Sequence, residues 1–146
     1  MPKYEPANPG SQAVIAGYPV HLWLIPLPVL CLAGLLVTDL IFLTTGAVFW
    51  SYVSLWLGVG GLFAGFIASA FGLLDFAAAE RFREQEAGWR HALGATAVLV
   101  LTGLNLYARA IDPAAGVWPW GLVLSALTVS LLGVTAWQGA ALSRSG

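Results

Sequence analysis

The sequence predicts an all-α integral membrane bundle of four helices, and three observations predict it. Of 146 residues, 59% are hydrophobic and only 9% are charged, against about 25% charged in an ordinary soluble domain. Mean hydropathy is +0.82. The apolar residues gather into four runs, Leu22 to Leu43, Leu55 to Phe76, His91 to Ala108 and Trp118 to Leu142, each near the roughly 20 residues a helix needs to cross about 30 Å of hydrocarbon. A four-span domain over residues 21–142 thus fills nearly all the chain, between an N-terminal segment of residues 1–20 and a tail at 143–146.

Met1 to Val20 is rich in proline and polar residues and lacks a basic stretch leading directly into a cleavable apolar run, so no removed signal peptide is expected. The first span opens at His21, and Pro26 and Pro28 are expected to kink it. Cys31 is the single cysteine, which excludes a disulfide framework or thiolate metal site within one chain. Leu30 stands before it where a lipoprotein cleavage site wants a small residue. Thr44-Thr45-Gly46 reads as a turn. In the second span Gly58, Gly61, Gly65, Ala68 and Gly72 recur at steps of three and four, a stripe that lets a neighbouring helix approach closely and that also has the clearance a flat cofactor needs. It ends at Asp75. The stretch from Glu80 to Arg90 interleaves Glu80 and Glu84 with Arg81 and Arg83, as a solvated helical extension would.

The third span aligns His91, Ala95, Val98, Thr102, Asn105 and Arg109 on one stripe. That stripe must face protein, because polar groups are costly against lipid. Ile111-Asp112-Pro113 is a turn, and the fourth span follows. His21 and Asp39 are 18 residues apart, as are His91 and Arg109, so each pair spans about 27 Å of helix. Two polar layers result. One holds both histidines; the other pairs Asp39 with Arg109 as a structural ion pair.

Lys3, Arg81, Arg83, Arg90 and Arg144 fall on one side of such a topology and Arg109 on the other, which puts both termini in the cytoplasm of a bacterial inner membrane. Trp23, Trp89 and Trp137 would mark the inner boundary and Trp50, Trp56, Trp118 and Trp120 the outer one. The halves also echo each other at an offset of 70 residues: His21 with His91, Gly46 with Gly116, Trp50 with Trp120. Two hairpins related by a pseudo-two-fold axis along the membrane normal would show such a repeat.

Three readings of the histidine pair stay open. His21 and His91 could be axial ligands of a haem b, with Arg90, Arg81 or Arg83 at its propionates. They could join Asp75 around a divalent metal. They could also be interfacial residues bonded to backbone or headgroups. A net charge of -1 leaves no basic stripe for nucleic acid, and Ser51, Ser54 and Ser69 have no histidine at a matching depth for hydrolase chemistry.

Gly17-Tyr18-Pro19-Val20-His21, Asp39, Gly72-Leu73-Leu74-Asp75-Phe76 and His91 together resemble the bacterial inner-membrane family of domain of unknown function 2231, from about Gly17 to Gly139. Tyr18, Leu22 and Ala95 depart from the family pattern, leaving one histidine per half. The resemblance implies an architecture like that of small haem-bearing membrane subunits and, by analogy, electron transfer. The function expected is a haem-binding electron-transfer protein or subunit, more a component than an enzyme on its own, exchanging electrons with quinone or other membrane redox subunits. Its rival is a non-catalytic accessory subunit. A homo-oligomer fits either, and transport is a weaker third reading.

Overall fold

The computed structural model describes residues 14–15, 18–78 and 86–144. Two short extended segments, β1 (Val14–Ile15) and β2 (Tyr18–Pro19), pair antiparallel. Five helices follow: α1 (Val20–Leu24), α2 (Pro26–Thr45), α3 (Val48–Ala78), α4 (Glu86–Ala108) and α5 (Leu122–Arg144). Four of them, α2 to α5, are long and apolar enough to cross a membrane.

The kink expected in the first span is a break at Ile25, between α1 and α2. Pro26 and Pro28 have no N–H to donate, so two rungs of the helical ladder are missing, and Val29 N–H to the Ile25 carbonyl at 3.3 Å resumes it. The crossing helix therefore starts at Pro26, four residues later than Leu22. At its other end Thr44 and Thr45 bond back to Leu40 and Ile41 carbonyls, which keeps them helical. Gly46 then stops the helix with φ 68, its N–H on the Phe42 carbonyl at 2.7 Å, a left-handed position that a Cβ would oppose.

Helix α3 begins at Val48, seven residues before Leu55. The Ser51 hydroxyl donates to the Val48 carbonyl at 2.7 Å, so a polar residue outside the expected span is satisfied inside the helix. With 31 residues, α3 is about 46 Å long, against about 30 Å for α2. After α4, the Asp112 carboxylate accepts the Ala114 and Ala115 N–H groups at 2.9 and 3.1 Å and turns the chain. An irregular stretch, Val117–Gly121, contains extended Trp118 and a cis Trp118–Pro119 peptide. Helix α5 consequently starts at Leu122 instead of Trp118.

The helices form two hairpins, α2 with α3 and α4 with α5, joined by contacts of α3 with α4 and of α2 with α5. Helix α1 lies against α3. The outward faces carry large apolar side chains such as Trp56, Phe63 and Tyr107, as a lipid-facing surface requires. The interior holds small and polar ones: Asp39, Ser51, Ser54, Thr102, Asn105 and Arg109 are among the most buried residues. The buried residues Val98, Thr102 and Asn105 of α4, and Arg109 just after it, all come from the stripe read in the sequence, so that face does look inward. Trp23, Trp89 and Trp137 are exposed near one end and Phe49, Trp118 and Trp120 near the other.

Candidate functional site

Two polar centres lie near opposite ends of the bundle. At the first, Asp39 of α2 faces Arg109, the residue that follows α4, and both side chains are 0% exposed. The pairing is bidentate: Nη1 to Oδ1 and Nη2 to Oδ2, each at 2.7 Å. Asp39 stands six residues before the end of α2 and Ser54 six residues after the start of α3, which is about 9 Å inside the helix ends.

An unpaired ion at that depth would be expensive, so every donor needs an acceptor. Arg109 meets this fully. Beyond the carboxylate, its Nε donates to Asn105 Oδ1 at 2.6 Å, Nη1 to Ser54 Oγ at 2.6 Å and Nη2 to Ser125 Oγ at 3.4 Å. The partners are themselves held. Ser54 Oγ donates to the Ser51 carbonyl at 3.0 Å, Ser125 Oγ lies 2.7 Å from Asp39 Oδ2 and 2.8 Å from the Gly121 carbonyl, and Asn105 Nδ2 donates to that carbonyl and to Ser125 Oγ. One guanidinium thus ties all four spanning helices. Gly121 makes room for it: a Cβ there would collide with the Gly116 carbonyl and sit 2.8 Å from Arg109 Nη2.

Ser54 and Ser125 were not legible as members of this site. Ser54 sits just before the apolar run that opens at Leu55 and Ser125 inside the fourth run, and only the fold shows that both hydroxyls converge on the charge pair. Asn105 was readable from its stripe.

The second centre is the histidine end. His91 is half buried, and its Nδ1–H donates to the Thr135 carbonyl at 3.0 Å. A carbonyl can only accept, so the proton must be on Nδ1. Gly94, three residues on, is what lets α5 come so close, because a Cβ there would overlap the Thr135 methyl. Arg90 is exposed and pairs with Glu86 one turn back. The His21 side chain, Arg81 and Arg83 lie outside the described residues. Among the described residues no three His, Cys, Asp or Glu side chains gather where a metal could sit.

The register of the helices nonetheless fixes the level of His91. Gly58 lies against Leu106 and Gly65 against Leu99, an antiparallel register that, carried seven residues further, sets Gly72 of α3 beside Ala92. The ring contact of Phe76 with Trp89, centroids 5.0 Å apart, agrees with it. On the other flank Gly61 lies against Leu32 and Gly65 against Pro28, and beyond the break at Ile25 the short helix α1, which carries His21, still packs against α3. His91 therefore lies near the level of Gly72, with Asp75 a turn beyond.

The glycine stripe itself is closed. Leu35 and Leu106 seat on Gly58, Leu32 on Gly61 and Leu99 on Gly65, each near 2.8 Å from where a Cβ would be. Helix packing fills it, and no slot for a flat cofactor runs through that part of the bundle.

A four-helix membrane bundle pinned by a buried arginine–carboxylate pair, with His91 near its far end, is the class of protein these features define. The chain belongs to the family described as predicted membrane protein (DUF2231), whose model matches residues 17–145. No curated protein and no solved structure matches it.

Proposed function

We propose that the chain is a small multi-pass protein of the bacterial inner membrane that binds haem b at its histidine end and transfers electrons, by itself or as a subunit, with His21 and His91 as axial ligands. The observation that supports this reading is that α1, which carries His21, and α4, which carries His91, both pack against α3. Bound haem would supply a one-electron couple whose potential two imidazoles help to set. The chain's own part is to hold the rings. The Thr135 carbonyl fixes the His91 tautomer and plane, as outer partners of ligating histidines do, and Arg90, next in sequence to His91, offers a charge for a propionate in competition with Glu86. Because leucines fill the stripe from Gly58 to Gly65, the group belongs at the rim, beyond that closed stretch. Five of the six basic residues give the orientation, with both termini cytoplasmic.

Purified protein is expected to show a Soret band that His21→Ala and His91→Ala each abolish while the protein stays folded. A colourless, folded preparation from haem-replete cells overturns the reading. The same samples test the metal alternative with His21, His91 and Asp75, since elemental analysis would find a stoichiometric divalent ion in its place.

A second reading is favoured by the filled stripe: a non-catalytic accessory subunit of a larger membrane complex. Extraction in mild detergent is then expected to recover stoichiometric partner proteins. An isolated colourless monomer counts against both readings.

A further inference from the structure

The Asp39–Arg109 pair joins two positions separated by 70 residues, the same offset that relates His21 to His91 and Gly46 to Gly116. Burial repeats at that offset along the helices that carry the pair. Pro28, Leu32, Leu35 and Asp39 are buried in α2, and Val98, Thr102, Asn105 and Arg109 are buried 70 residues on. Thr38 alone breaks the match, its counterpart Ala108 being exposed. A seven-residue slip would preserve the helical spacing, but it would separate the two charges in depth and lose the histidine and glycine matches. The ion pair is thus a contact between equivalent positions of two hairpins, which places it on the axis that relates them.

In a two-fold interface, an axial position meets its own copy. Two copies of the first hairpin would bring Asp39 against Asp39, and two of the second Arg109 against Arg109, each a like-charge contact buried from water. Only unlike hairpins give a neutral axis. We propose that the opposite charges at positions 39 and 109 select the docking partner: the inner face of the α2–α3 hairpin takes the α4–α5 hairpin and rejects a second copy of itself, so the four helices close within one chain instead of pairing between chains. This is specificity by repulsion of the wrong partner as well as attraction of the right one.

Equivalence makes the charges exchangeable, which a merely local ion pair would not require. The test is full-length protein carrying Asp39→Arg, Arg109→Asp, or both, extracted in mild detergent and read by size-exclusion chromatography for the yield of folded monomer. Each single substitution is expected to reduce that yield about tenfold or more, with a shift toward larger species, and the double to recover at least half of it. Because Asn105 serves the arginine one turn away and Leu35 is its counterpart, a second variant exchanges those residues too (L35N/D39R/N105L/R109D). Recovery in either exchanged form supports the proposal. Failure of both, or single variants that stay monomeric at full yield, overturns it.

Discussion

The two hairpins solve the same packing problem with different chemistry. Between α2 and α3 the seam is apolar: Leu32 and Leu35 seat on Gly61 and Gly58, and closeness does the work. Between α4 and α5 the seam is polar. Where α2 has Leu32 and Leu35, α4 has Thr102 and Asn105, and α5 presents Thr128 and Thr135 in place of Gly58 and Gly65 and Ser125 in place of Leu55. In lipid, burying apolar surface gives little drive for helices to meet, so dispersion between close backbones and hydrogen bonds across helices are the two available means. A hydrogen bond between membrane helices is worth on average only about 0.6 kcal/mol and reaches about 1.7. The polar seam must therefore justify itself elsewhere, and here it does so by housing the arginine.

The largest effect that breaks the comparison is removal of one charge. Asp39→Ala or Arg109→Ala leaves the other ion buried and should destabilise the bundle by about 3–5 kcal/mol, read as a lower unfolding midpoint in mixed micelles. The combined Asp39→Leu and Arg109→Met change should lose clearly less than either single change, because a well-packed apolar pair removes both ions at once. Next in size, Gly61→Leu drives a side chain into Leu32 and should cost toward the upper end of about 1–3 kcal/mol; Gly103→Leu on α4, where nothing lies within 4 Å of a Cβ, is the matched control and should have little effect. Asn105→Leu copies the first hairpin's residue into the second. It strands Arg109 Nε and should cost about 1–2 kcal/mol. The smallest expected change sharpens the contrast from the other side: Thr128 Oγ1 is buried without a hydrogen-bond partner among the described residues, so Thr128→Val should be neutral or stabilising by up to about 1 kcal/mol.

The four spans were legible because membrane thickness and apolar run length are read on the same scale. Their ends were less so. Thr44 and Thr45 read as part of a turn and Ser51 fell outside the expected second span, yet a hydroxyl that bonds its own helix backbone costs the helix little. Of the buried network, Asp39 and Arg109 stood out because an ion in an apolar run must find an opposite charge, and Asn105 lay in phase with them. Ser54 and Ser125 gave no signal, since serine inside a membrane helix is ordinary and only docking of the hairpins aims these two at one guanidinium. Thr135 takes part at the histidine end through its carbonyl, a group every residue carries, so no side-chain pattern could have singled it out.

The unequal lengths of α2 and α3 have a bearing on access. Both leave the same tight turn at Gly46, so the surplus of α3, about 16 Å, stands past Pro26 at the opposite end. A bilayer whose hydrocarbon matches α2 would leave that surplus among phosphates and glycerols, a layer several ångströms deep on each side. Gly72, and with it the level of His91, falls within this layer, about 7 Å above the acyl chains. That end is then reached directly from the aqueous phase, without any corridor through the membrane.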